Sequence, residues 1–134
     1  IASEFVSQGV VVIQEDGQKT RQEFKATGKA RLSSVPLAVL INGGSASASE
    51  IVAGALRDNG RAKIIGEKTF GKGTIQEAQQ LDLSGLHITT ARWLTPKGTW
   101  VNDKGGLEPD IEIKDNPETE KDEQLEKAIE ELVK

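Results

Sequence analysis

Leu37-Ala38-Val39-Leu40-Ile41 is an unbroken apolar run that stops abruptly at Asn42-Gly43-Gly44. Five consecutive apolar residues leave no polar face for water, so the run suits a central parallel strand buried on both faces. After the glycines the period changes. From Ser47 to Arg57, the residues Ile51, Val52, Ala55 and Leu56 fall on one side of a helix, and Gly60 is placed to stop it. Ala62-Lys63-Ile64-Ile65-Gly66 then reads as another short strand. Strand, helix and strand in this order form an α/β unit, because parallel neighbours need a crossover and a helix supplies it.

The flanks extend this unit. Ile1 to Val6 reads as the end of a helix, and Val10-Val11-Val12-Ile13 as a buried strand. Asp16-Gly17 marks a hairpin turn, with Arg21 to Thr27 as the returning strand. Gly28 to Val35 is polar and reads as a loop. Downstream, Thr74 to Leu83 and Leu86 to Leu94 read as two strands around Asp82-Leu83-Ser84-Gly85, and Ile111-Glu112-Ile113 as a last one. Asn116-Pro117 fits a helix cap with proline at the first position. Leu125, Ile129 and Leu132 then recur at helical spacing, which predicts a C-terminal amphipathic helix over residues 116–134. That helix has an apolar stripe to offer its own domain or a second subunit.

The chain has 134 residues, which suits one domain. It has no methionine and no basic-then-apolar leader, as expected of a segment of a longer protein. A net charge of −4 with interspersed signs argues against nucleic acid as a partner, since that affinity rests on clustered Lys and Arg. The absence of cysteine excludes disulfides and thiolate catalysis, and one histidine, His87, is too few for a His-rich metal site.

The chemistry concentrates where the apolar run meets the helix. Gly44-Ser45-Ala46-Ser47-Ala48-Ser49-Glu50 is a turn of small residues between a strand and a helix. Small neighbours let a backbone turn sharply and lift a central hydroxyl above the sheet, which makes Ser47 a candidate nucleophile. Free N–H groups at the helix start could hold an oxyanion, with Gly44 and Ala48 as candidates. The same residues also fit a plain capping box, Ser47-x-x-Glu50, and a serine here is more often a cap.

A serine hydroxyl needs a base. His87 lies in an alternating strand, with no third residue placed to orient it. A lysine can serve if apolar surroundings disfavour its charged form. Phe70-Gly71-Lys72-Gly73 offers an aromatic neighbour and glycines that permit close approach, so Lys72 is the candidate; Lys68, beside Glu67, is poorer. Gly66-Glu67-Lys68-Thr69-Phe70-Gly71-Lys72 also nearly matches a phosphate-binding loop. Such a loop needs Ser or Thr next, to hold Mg²⁺, and a helix after it. Here Gly73 follows, then a strand pattern, so a nucleotide site is set aside.

Taken together, Gly44–Ile51 and Gly66–Gln76 resemble the carboxyl-terminal processing (tail-specific) proteases, as do Thr89–Gly98 and Gly106–Asp110. The resemblance runs in order from about Val10 to Ile113. It implies a serine endopeptidase with Ser47 as nucleophile, Lys72 as general base, and Gln76 as the residue that orients the lysine. It implies an α/β core of parallel and mixed strands with flanking helices, related to the crotonase and ClpP folds. By this resemblance residues 1–115 are the C-terminal part of the catalytic core, which is incomplete at its N-terminus. It further implies no cofactor, substrates that are protein C-terminal tails, a PDZ domain elsewhere in the full protein, and an extracytoplasmic location. A non-catalytic peptide-binding module on the same fold stays open, with Ser47 as a cap.

Overall fold

A computed structural model describes residues 1–82 and 84–134. In chain order the elements are α1 (Ala2–Phe5), β1 (Val10–Asp16), β2 (Arg21–Lys25), β3 (Ala38–Ile41), α2 (Ala48–Asp58), β4 (Lys63–Gly66), β5 (Thr74–Leu81), β6 (Ser84–Leu94), β7 (Ile111–Glu112) and α3 (Glu123–Leu132). They build two sheets. One is antiparallel, in the order β2-β1-β6-β5, and the other parallel, in the order β3-β4-β7.

The expected strand–helix–strand unit forms as β3, α2 and β4, with Val39 opposite Ile64 and Ile41 opposite Gly66. Its middle strand differs from expectation. The run Leu37–Ile41 supplies the outer strand β3, with Leu40 exposed, while β4 lies between β3 and β7 and buries Ile64 and Ile65 completely. Both segments are short and apolar, and hydrophobicity reports burial without saying which strand has two neighbours.

α2 packs on β1 and β4, and closes the core over Ile41, Ala53, Ile64, Trp93, Val101 and Leu107. It stops where expected. Gly60 takes φ +68 and its N–H bonds the Arg57 carbonyl, while Asn59 Nδ2 donates to the Ala55 and Val10 carbonyls.

Two boundaries move. The Asp16-Gly17 hairpin exists, but its loop is longer than two residues: Asp16 Oδ1 accepts from Gln18 N–H and Thr20 N–H, and Lys19 adopts φ +64. The C-terminal helix begins at Glu123, not at Asn116-Pro117. Its cap is Asp122, whose carboxylate accepts from Leu125 N–H at 2.8 Å, and Asn116 instead closes a turn onto Glu118 N–H. Both residues favour caps and turns for the same reason, an acceptor on a short side chain. The expected turn between β5 and β6 includes Leu83, which lies outside the described residues.

α3 packs on β3 and β4. Lys63 of β4 reaches Glu131 at 2.6 Å, and Gln124 donates to the Ile113 carbonyl.

Candidate active site

Ser47 sits at the mouth of α2 with φ 55 and ψ −114. A non-glycine residue at positive φ costs about 1–3 kcal/mol and persists only where its surroundings impose it. This is the sharp strand-to-helix bend that lifts a nucleophile. The bend is held from both sides. Ser45 N–H donates to the Asn42 carbonyl, and Ser47 N–H donates to Glu50 Oε2 at 2.8 Å. The Ser47 hydroxyl leans towards the Glu50 N–H without completing an ordinary capping bond. The capping box is therefore carried by Glu50, and the hydroxyl is not committed to it.

Glu50 is the residue that sequence reasoning undervalued. It is 0% exposed. Its Oε2 accepts from Ser47 N–H and from Lys72 N–H, at 2.8 and 2.9 Å. Its Oε1 accepts from Gly71 N–H at 2.8 Å and from the Thr69 hydroxyl. Two backbone nitrogens that share one oxygen can be no farther apart than those two bonds laid end to end. One buried carboxylate thus brackets the serine turn and the lysine loop. A second tie runs from Phe70 N–H to the Ser45 carbonyl, at 3.0 Å. The Ser-x-x-Glu spacing gave a complete local explanation for Glu50, so no sequence signal pointed to its distant partners.

The lysine loop is gripped from its other side as well. Trp93 Nε1 donates to the Lys72 carbonyl at 3.0 Å, and Trp100 Nε1 donates to the Gly73 carbonyl at 3.0 Å. Gly73 N–H donates to Asn102 Oδ1. A Cβ on Gly73 would lie 2.5 Å from Asn102 Oδ1 and 2.7 Å from Trp100 Nε1, so no side chain fits there. That is the position where a phosphate-binding loop needs its Ser or Thr, and the segment after it is β5, not a helix. Thr69 completes the frame: its Oγ1 accepts from Leu107 N–H at 2.6 Å, docking the Gly106–Asp110 segment beneath the loop. Lys68 pairs with Glu108 at 3.5 Å.

Arg92 stacks over Trp100, 4.9 Å from the ring, and bonds Glu15. Hydrogen bonds from Arg21 first, then from Arg92, hold the Glu15 carboxyl below its ordinary value.

The remaining predicted residues are placed as follows. Lys72 is exposed on the described surface, so these residues do not supply the desolvation a lysine base needs. Ser47 Oγ and Lys72 Nζ, brought to the same corner by their backbones, make no hydrogen bond to one another. Gln76 lies on β5 with its amide turned to Thr89 Oγ1, at 3.4 Å, across the sheet and not towards Lys72. Gly44 N–H is already occupied by Asn42 Oδ1 at 3.0 Å, whereas Ala48 N–H has no partner among the described residues. His87 is exposed on β6, opposite Ala78. Among the described residues no group of three His, Asp or Glu side chains could hold a metal.

A strained serine at a strand–helix turn, joined through one carboxylate to a glycine-framed lysine, can be compared with known proteins. The model of peptidase family S41 matches residues 1–113. The chain belongs to that family. It is 46% identical over 114 residues to the chloroplastic C-terminal processing peptidase of Tetradesmus obliquus, covering 84% of this chain and 24% of that one. It is 49% identical over 112 residues to the chloroplastic carboxyl-terminal-processing peptidase 2 of Arabidopsis thaliana, covering 82% and 22%. Among solved structures, a photosystem II D1 C-terminal processing protease superposes with TM-score 0.77 at 46% identity, covering 84% of this chain and 29% of that one. A lipoprotein from Streptococcus agalactiae, 17% identical, shares the fold with TM-score 0.75, covering 98% and 47%. The S41 chain spans about a quarter of the length of the curated relatives it matches.

Proposed function

We propose that this chain carries the catalytic residues of a longer serine endopeptidase that cleaves protein substrates near their C-termini. The observation that supports the reading most is the Glu50 bracket, which sets the Ser47 and Lys72 backbones against one oxygen. In the proposed reaction neutral Lys72 takes the proton from Ser47 Oγ. The oxygen attacks the scissile carbonyl, and a tetrahedral oxyanion forms. The C–N bond then breaks, and the departing amine takes the proton from Lys72. Water repeats the sequence on the acyl-enzyme: Lys72 accepts a proton from water, the ester C–O bond breaks, and Oγ recovers the proton. Ala48 N–H is the oxyanion donor this chain offers freely; Gly44 would have to release Asn42 to join it. Gln76 would have to turn from Thr89 to orient the lysine. No cofactor takes part.

The substrate is an unstructured C-terminal tail, presented with the help of a PDZ domain elsewhere in the full-length protein. Two relatives are named as chloroplastic, and this reading places the protein outside the cytoplasm. Residues 1–115 form the C-terminal part of the catalytic core, and 116–134 the segment that ends in α3.

The test is fluorophosphonate labelling and cleavage of an unstructured tail by the full-length protein. Labelling at Ser47 is expected, with cleavage abolished in Ser47→Ala and in Lys72→Ala. If both variants cleave as before, the assignment is wrong. The exposed Lys72 and the turned-away Gln76 favour a second reading, a peptide-binding module without catalysis. Tail binding with neither labelling nor cleavage would select it.

A further inference from the structure

The antiparallel sheet has two outer strands, and they are built differently. β2, with the sequence Arg21-Gln22-Glu23-Phe24-Lys25, sets three charges in five residues along its edge. Charges of this kind keep another strand from pairing. β5 runs Thr74-Ile75-Gln76-Glu77-Ala78-Gln79-Gln80-Leu81, with one charge and no proline in eight residues. Among the described residues it pairs only with β6, and residues 76–81 are all exposed.

The irregularity in this pairing spares the free edge. Between Ile75 and Gln76 the register advances one residue on β5 and two on β6, from Ala91 to Thr89. The extra residue therefore belongs to β6, and a bulge bends the strand that contains it. β5 keeps a regular outer row of N–H and C=O groups. That row begins two residues after Lys72, whose backbone is fixed by Glu50 and Trp93.

We propose that the free edge of β5 receives the substrate as an added, extended strand. The inference rests on the peptidase reading above and names how that site holds its substrate. Eight residues at about 3.4 Å each give an edge of about 27 Å. Main-chain hydrogen bonds along it are open to almost any sequence except at proline. The ligand is therefore an unstructured polypeptide segment selected by conformation. A folded domain, whose backbone groups are already paired, is excluded.

Disulfide trapping tests the placement. This chain contains no cysteine. In the full-length Ser47→Ala protein, with any cysteine outside this segment replaced, Gln79→Cys is compared with Gln22→Cys on the opposite edge. The partner is a tail peptide carrying one cysteine, scanned along its length. Residues paired across strands place their Cβ atoms about 4.5–5.5 Å apart, close enough to trap. At least tenfold more adduct is expected at Gln79→Cys, confined to alternate peptide positions. Equal adduct at both edges overturns the proposal.

A second measurement uses the native sequence. N-methylation of alternate peptide amides should lower kcat/KM by about five- to tenfold per blocked bond, and methylation of the intervening amides should not. Cleavage and Ser47 labelling without this alternation would remove the β5 rail and leave the peptidase reading intact. No labelling and no cleavage would remove both.

Discussion

Replacing Glu50 tests the architecture of the site most directly. In Glu50→Ala, Ser47 N–H, Lys72 N–H, Gly71 N–H and the Thr69 hydroxyl all lose their acceptor in a place without solvent access. One stranded buried donor costs about 1–3 kcal/mol. Four do not add, because the two loops would part and admit water. The expected loss of stability is about 3–5 kcal/mol, the range for breaking a buried charged network from one side. Glu50→Gln discriminates between mechanisms. Its amide oxygen can replace Oε2 and keep the Ser47 and Lys72 bonds, while its NH₂ group faces the Thr69 hydroxyl, which can rotate to accept. Only Gly71 N–H is then stranded, for about 1–3 kcal/mol.

The catalytic consequences should separate in the same way. A misplacement of about 1 Å between reacting groups costs about a hundredfold. Glu50→Ala in the full-length protein should therefore lose at least that factor in kcat, and Glu50→Gln should recover most of it. Urea unfolding gives the stability change, and steady-state cleavage of an unstructured tail gives the rates. An Ala variant within about 1 kcal/mol of the parent and equal to it in kcat/KM would refute the bracket as the device that sets Ser47 against Lys72.

Two further outcomes follow from the same coordinates. Gly73→Ser completes the sequence pattern of a phosphate-binding loop, but its Cβ would strike Asn102 Oδ1 and Trp100 Nε1. It should destabilise by about 1–3 kcal/mol, as overpacking does, and confer no thermal stabilisation by Mg-ATP. Hydrogen bonds from Lys134, then from Lys63, depress the Glu131 carboxyl to about 2. A depressed acid stabilises the fold fully above its unfolded value of about 4.3, and that contribution fades as pH falls through about 2. Amide exchange in α3 should accelerate across this window and do so much less in Glu131→Gln; an identical response in both would refute it.

Local chemistry was enough to read the strand–helix–strand unit. An apolar run, small turn residues and a helical repeat act within about twenty residues, and β3, α2 and β4 follow from them. The stop at Gly60 was legible for the same reason. The candidate site was legible only in halves. Ser47 looked like a cap and Lys72 like a loop lysine, and family resemblance joined them.

What sequence could not supply was the set of contacts made by groups far apart in the chain. Burial of the Lys72 loop against Trp93, Trp100 and Asn102 depends on β6 and the 102–106 loop folding back. The exchange of roles between β3 and β4 depends on β7 pairing with β4. Glu50 shows the division most plainly. Its spacing from Ser47 fixed one hydrogen bond of the turn. Only the packed structure brought Thr69, Gly71 and Lys72 to the other lone pairs, because a carboxylate taken out of water must find donors wherever the chain presents them.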